Sequence, residues 1–204
     1  MKKVLYIIFA IAFFSACGSQ EDNREGIIIH EKAADGGLRI LKTSFPDFAF
    51  TNQNGDSVTQ EDFKNKIYVV DFFFTRCPSI CVPMAIQMKR IYTKYEGNDR
   101  IRLLSHSIDT RNDSIPDLKE YEQKLSVAAP KWNFVTGSYE EITRMAKEYM
   151  VPANVDENAP GGYNHSGKFI LIDRKGQMRG FCDGTSEETV DEFIKDIDEL
   201  LDER

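Results

Sequence analysis

Two cysteines separated by three residues are the side chains of this 204-residue chain best suited to chemistry. They form the segment Cys77-Pro78-Ser79-Ile80-Cys81, which joins a strongly apolar run to an amphipathic one. Residues four apart share one face of a helix, so both thiols can point the same way. The positive end of a helix also favours thiolate over thiol. Such a pair can oxidise to a disulfide or bind a soft metal such as Cu(I).

The elements around the cysteines follow an alternating pattern. Residues 67–74 are a continuous β-branched and aromatic run, which predicts a central strand buried on both faces. Apolar residues then recur at helical spacing over residues 79–95. The complete predicted order is a hairpin at 46–59, a strand at 67–74, helix 79–95, strand 101–108, helix 115–125, strand 132–136, a helix to about residue 150, an irregular loop at 151–166, a hairpin at 168–181 and a terminal helix. This order predicts an α/β layer fold with a mixed sheet.

Three sequence blocks resemble one protein family. Residues 71–84 (DFFFTRCPSICVPM) resemble the signature of the Sco/SenC proteins, thioredoxin-fold copper-binding factors of respiratory oxidase assembly. Residues 107–114 (SIDTRNDS) and residues 163–173 (YNHSGKFILID) match further blocks of that family in order and spacing. The resemblance implies a thioredoxin-like fold with a mixed central β-sheet flanked by helices and an N-terminal β-hairpin.

The resemblance also implies a set of site residues. Cys77, Cys81 and His165 would be the metal ligands, with copper as Cu(I) or Cu(II). Two thiolates and an imidazole suit both oxidation states. Asp109 would lie behind the ligands and tune them. Alternatively, Asp109 and Asp113 only cap the next turn.

The chain departs from the family pattern at two positions. Asn164 stands where the family often has an aspartate before the ligand histidine, and Pro83 lies one place later than the family's proline. Either change could retune copper affinity or redox potential. Arg76, directly before Cys77, either favours the thiolate further or is simply exposed.

Two other functions remain open for the same residues. Cys77 and Cys81 could be the catalytic dithiol of an extracytoplasmic thiol-disulfide oxidoreductase without a metal role. Oxidoreductases of the thioredoxin fold use a two-residue gap between their cysteines and a cis-proline, whereas this chain has a three-residue gap and the segment Ser166-Gly167-Lys168. These differences favour copper handling. A redox or copper sensor that acts through partner contact is the third class.

The N-terminal residues predict that the protein is exported from the cytoplasm. A short basic start and an eleven-residue apolar run suit a signal peptide and are too short for a membrane-spanning helix. Cys17 follows two small residues, as in the bacterial lipobox, so we expect residues 1–16 to be removed and Cys17 to be lipidated. Residues 17–44 are then a flexible tether and residues 45–204 the domain. The protein is expected in the cell envelope, lipid-anchored to a membrane and facing the periplasm, with the choice of membrane open.

The amino-acid composition limits the classes of binding partner that we expect. Asp and Glu total 33 against 26 Lys and Arg, so the net charge is −7 and a nucleic-acid partner is not expected. The expected partner is the copper-site subunit of a terminal oxidase or another extracytoplasmic thiol protein. The remaining cysteine, Cys182, is expected to be packed in the core. Three methionines at helical spacing are also expected in the core: Met84, Met88 and Met145.

Overall fold

A seven-stranded mixed sheet forms the centre of the protein in a computed structural model that describes residue 33 and residues 37–203. Its strands lie in the order β2-β1-β5-β4-β3-β8-β9. They are β1 (Ala49–Asn52), β2 (Ser57–Thr59), β3 (Ile67–Phe73), β4 (Ile101–Ser107), β5 (Trp132–Thr136), β8 (Lys168–Ile172) and β9 (Met178–Asp183). Strands β3, β4 and β5 are parallel, and β8 runs antiparallel to β3. The carboxyl ends of β3 and β4 therefore lie at the same edge of the sheet as the start of β8.

In the described part of the chain, four α-helices cover the sheet: α1 (Cys81–Tyr95), α2 (Ile115–Leu125), α3 (Tyr139–Glu148) and α4 (Glu187–Asp202). Neighbouring residues of β3 point to opposite faces. Phe73 packs against Tyr121 of α2, whereas Phe72 stacks on His106 and lies near Tyr149, which follows α3. Both faces of the central strand are covered, which explains why its sequence is almost wholly apolar.

The chain before β1 is attached to the domain by a buried arginine. Arg179 of β9 donates to the carbonyl of Leu38 at 2.7 Å and forms ion pairs with Asp173 and with Glu203 near the end of the chain. Leu38 is 3% exposed, and Leu41 donates its N–H to the carbonyl of Met178. The packed part of the chain thus begins before residue 45, the predicted start of the domain, because this segment pairs with β9.

The structure refines two predicted elements. The segment predicted as an irregular loop contains a small antiparallel hairpin, in which β6 (Ala153–Val155) pairs with β7 (Tyr163–His165). Helix α1 begins at Cys81, so Cys77 lies in the turn before the helix and donates its N–H to the carbonyl of Phe74. The sequence predicted that both sulfurs lie on one face of a helix. Instead, the turn before the helix brings them together.

The predicted signal peptide and the lipidation site at Cys17 lie outside the described residues. Within the part that is described, no helix combines the length and the apolar character needed to cross a lipid bilayer. Met84, Met88, Met145 and Cys182 are buried in the core, as predicted.

Candidate metal centre

Cys77, Cys81 and His165 meet at the sheet edge where β3 ends and β8 begins. The imidazole Nε2 of His165 lies 3.6 Å from the sulfur of Cys77 and 3.6 Å from the sulfur of Cys81. All three ligand atoms lie within 4.8 Å of one another, and theirs is the one such group of histidine, cysteine and acidic side chains among the described residues. The structure thus brings together the three side chains that the sequence singled out.

The separations of these atoms fit a metal ion. Metal–sulfur bonds of about 2.3 Å and metal–nitrogen bonds of about 2.1 Å at trigonal angles separate sulfur and nitrogen by about 3.8 Å. The observed 3.6 Å is close to that value. Two sulfurs and one imidazole nitrogen are soft donors, the set that suits copper better than Mg²⁺ or Ca²⁺.

The two thiols differ in their protonation. Interaction with Cys81, and secondly with His165, lowers the pKa of Cys77 far below its usual value even though partial burial opposes the shift. The same interaction, together with burial, raises the pKa of Cys81. The interaction between the two sulfurs therefore favours ionisation of Cys77 over ionisation of Cys81. The interaction between the sulfurs is the largest cause of both shifts.

A buried carboxyl group lies beneath the site in the middle of β3. Asp71 is 4% exposed and accepts a hydrogen bond from Ser105, whose hydroxyl accepts one from Trp132 Nε1 at 2.8 Å. Burial raises the pKa of Asp71 from 3.8 to about 7, and both the Ser105 hydrogen bond and the charge of His165 partly offset this rise. The charge of Asp71 in turn contributes to the raised pKa of Cys81. A titratable group thus sits within electrostatic range of the metal centre.

The loop after β4 contains two aspartates that do not join the metal centre. Asp109 is 4% exposed and accepts a hydrogen bond from the Tyr163 hydroxyl at 2.7 Å. Asp113 is 1% exposed and accepts hydrogen bonds from both the backbone N–H and the hydroxyl of Thr75. Asp113 therefore does more than cap a turn, because it ties the loop after β4 to the segment that leads into Cys77.

Asn164, which departs from the family pattern, and Arg76, which precedes the first cysteine, both lie at the rim of the site. Asn164 is exposed, between Tyr163 and His165 on the outer face of β7. Arg76 is exposed and faces Asp117 at 3.8 Å. The position of Arg76 agrees with the simpler of its two sequence interpretations.

A glycine lies close to an aromatic ring in the segment that leads to His165. Gly161 has φ +77°, and a Cβ there would lie 2.7 Å from the Cζ of Phe74. The same Phe74 ring contacts the rings of Tyr163 and His165, with centroids 5.2 and 5.5 Å away. The Phe74 ring therefore packs beneath residues 161–165, the segment that carries His165.

We expect Gly161→Ala to disturb this contact. The strained φ alone should cost about 1 kcal/mol of unfolding free energy, and the clash with Phe74 should add about 1 kcal/mol or more. Gly162→Ala is the matched control, because Gly162 has φ +84° but no atom within 4 Å of its Cβ position. Urea unfolding should show the larger loss for Gly161→Ala, and equal losses would contradict the proposed role of Phe74.

The fold and the site define a class: a thioredoxin-like domain with two cysteines and a histidine at one sheet edge. The family model described as SCO1/SenC matches residues 41–202. The chain therefore belongs to the SCO1/SenC family.

Solved structures agree with this assignment. The crystal structure of a SCO1/SenC family lipoprotein from Bacillus anthracis is 31% identical, covers 81% of this chain and 100% of its own, and has a TM-score of 0.74. BsSco, a member of the Sco family of cytochrome c oxidase assembly proteins in which a disulfide switch was identified, is 26% identical with a TM-score of 0.69, over 82% and 99% of the two chains. Arabidopsis thaliana ScoI with copper bound is 25% identical with a TM-score of 0.62, over 75% and 97%.

The sequence analysis assigned no role to three residues around the centre, although the sequence contains a feature that points to two of them. Asp71 is the one charged residue in the apolar run of residues 67–74. Tyr163 precedes His165 by two residues, so on a strand both side chains lie on one face. The role of Phe74 could not be read from the sequence, because it depends on contacts with Tyr163 and His165, which lie more than eighty positions later in the chain.

Proposed function

We propose that this protein binds one copper ion through Cys77, Cys81 and His165 and supplies it to the copper site of a respiratory terminal oxidase. The observation that carries the proposal is the convergence of the three ligand atoms, with Nε2 of His165 equally distant from both sulfurs. The copper-bound ScoI of Arabidopsis supports the choice of metal. BsSco, as a cytochrome c oxidase assembly protein, supports the choice of acceptor.

The protonation of the pair suits reversible binding. Cys77, whose pKa is lowered, ionises more readily and is the first ligand, and binding of the second sulfur displaces the proton of Cys81, because a metal binds the thiolate and not the thiol. The raised pKa of Cys81 opposes that step. Copper held against this cost can be surrendered to an acceptor that offers more readily ionised thiolates.

A thiol-disulfide reductase is the second candidate function. The asymmetry of the pair favours it, since Cys77 as thiolate can attack a partner disulfide and Cys81 can resolve the mixed disulfide. Such a reductase would keep the copper-site thiols of the oxidase reduced, and it would need neither copper nor His165. The same dithiol can serve both functions at different times.

Competition for Cu(I) separates the two candidates. The full-length chain, purified in detergent and fully reduced, is titrated against a Cu(I) chelator and compared with the same chain carrying a Cys77–Cys81 disulfide. Copper supply predicts one tightly held Cu(I) per reduced chain and none in the oxidised chain. Absence of binding above the chelator, with rapid reduction of a disulfide substrate, would establish the reductase instead.

The lipid anchor is a separate part of the proposal. The lipobox-like residues before Cys17 carry it, and the B. anthracis relative, which is a lipoprotein, supports it. Several acyl chains on one residue anchor a protein stably, so the protein is held in the cell envelope, facing the periplasm. Labelled palmitate fed to cells should appear in the wild-type protein and be absent from Cys17→Ser. Label retained in the variant would exclude Cys17 as the modified residue.

A further inference from the structure

The ring of His165 is not oriented by a hydrogen bond to its second nitrogen. Ligand histidines almost always donate that second N–H to a carboxylate, a carbonyl or water. In His165 the Nδ1 atom is buried and finds no hydrogen-bond partner among the described residues. Apart from the contacts of Nε2 with the two sulfurs, the ring is therefore placed by its contact with Phe74 and by the backbone of β7.

A tyrosine hydroxyl links β7 to the loop after β4. Tyr163 lies two residues before His165 on the same strand, and its hydroxyl donates to Oδ1 of Asp109 at 2.7 Å. Both carboxylate oxygens of Asp109 also accept from Asn112 Nδ2 at 2.9 Å, which holds the carboxylate in place. Asp109 is thus occupied by other partners and lies outside the group of ligand atoms.

The cysteine side of the centre is held by a different carboxylate of the same loop. Asp113 accepts from the Thr75 hydroxyl at 2.6 Å and from the Ser107 hydroxyl at 2.6 Å. Thr75 stands two residues before Cys77. One loop, residues 108–114, therefore reaches the two ligand-bearing segments through two separate hydrogen-bonded arms: Tyr163–Asp109 towards His165 and Thr75–Asp113 towards Cys77.

We propose that Tyr163 is a positioning residue for the metal centre, and that its hydrogen bond to Asp109 sets the place of His165 independently of the cysteines. This inference rests on the proposed copper function and deepens it. Loss of the hydroxyl frees β7 to move, and the imidazole then leaves its position between the sulfurs. Because the Thr75–Asp113 arm remains, the two thiols stay together.

The test compares hydroxyl deletions in two backgrounds. Tyr163→Phe should weaken Cu(II) binding about tenfold or more, the range for loss of an outer partner of a ligand, and weaken Cu(I) binding less, since the soft ion relies on the sulfurs. In a His165→Ala background Tyr163→Phe should have no further effect on Cu(II). Thr75→Val should behave in the opposite way, weakening binding of both copper ions in either background.

Tyr139→Phe is the matched control. The Tyr139 hydroxyl also holds the β6–β7 hairpin, by accepting from the N–H of Val155 at 3.1 Å, whereas the tyrosine bonded to Asp109 is Tyr163. This variant should leave Cu(II) binding as in the wild type even if its unfolding free energy falls. A Cu(II) affinity unchanged in Tyr163→Phe, or an effect that persists in full without His165, would overturn the inference.

A metal-free measurement separates this inference from the copper function itself. In the reduced apoprotein, NMR cross-peaks between the His165 and Phe74 rings should weaken in Tyr163→Phe and persist in Tyr139→Phe. If the wild type binds no copper but these cross-peaks respond as stated, the positioning role stands and the copper function fails. Cross-peaks equal in all three proteins would refute the positioning role.

Discussion

Cys81→Ser should reduce the Cu(I) affinity of the reduced protein by more than a hundredfold. Loss of a residue that merely supports a ligand typically costs about 10–100-fold, and here a sulfur ligand itself is lost. Serine oxygen is a poor donor to Cu(I), because soft ions select thiolates. Cys77→Ser should be similarly damaging, since it also removes a sulfur ligand. Chelator competition under reducing conditions measures both losses.

Two further variants test whether the effect on Cu(I) affinity is specific to the ligand cysteines. Cys182→Ala removes a buried thiol that is not part of the ligand group, so Cu(I) affinity should stay at the wild-type value. His165→Ala should weaken Cu(II) binding more than Cu(I) binding, because the nitrogen donor suits the harder ion. Wild-type Cu(I) affinity in Cys81→Ser would remove Cys81 from the ligand set.

Asp71→Asn should stabilise the apoprotein at pH 8 by about 4 kcal/mol, the free energy that corresponds to the raised pKa of this buried carboxyl. Between pH 3.8 and pH 7 the folded state binds more protons at Asp71 than the unfolded state does. The contribution of Asp71 to the unfolding free energy therefore falls as pH rises through this window. Asparagine cannot ionise, and its amide oxygen can still accept from Ser105.

Urea unfolding of the metal-free, reduced protein at pH 4.5 and pH 8 checks this prediction. The advantage of Asp71→Asn over the wild type should be small at pH 4.5 and several times larger at pH 8. Asp191→Asn is the control, because Asp191 is half exposed and pairs with Arg90 on the surface. It should change stability by less than about 1 kcal/mol at either pH. An advantage of Asp71→Asn that does not grow with pH would mean that Asp71 is ionised in the native state without cost.

The prediction of the fold from sequence succeeded where the pattern was local. The apolar run that became β3 and the helical spacing that became α1 identify a strand followed by a helix, with the cysteines at the junction. The thioredoxin-like fold, the mixed sheet and the N-terminal hairpin of β1 and β2 are confirmed. The small β6–β7 hairpin was not predicted, because its three-residue strands flank a Pro- and Gly-rich turn that is typical of a loop.

The sequence predicted which residues form the site, but not the pKa values of its thiols or the hydrogen bonds around it. The motif blocks identified Cys77, Cys81 and His165, and the structure brings them together, while their role as copper ligands stays a prediction. The opposite pKa shifts of the two thiols depend on a sulfur geometry that no spacing rule supplies. The Tyr163–Asp109 hydrogen bond joins residues 54 positions apart, so only the folded chain reveals it.

X-ray absorption at the copper edge is the most direct test of the central claim. The full-length wild-type protein and His165→Ala are reduced, loaded with one equivalent of Cu(I), and compared. We predict two sulfur scatterers and one nitrogen scatterer of imidazole type in the wild type, and two sulfurs without that imidazole in His165→Ala. A wild-type spectrum with two sulfurs alone, identical to that of His165→Ala, would contradict the three-ligand centre.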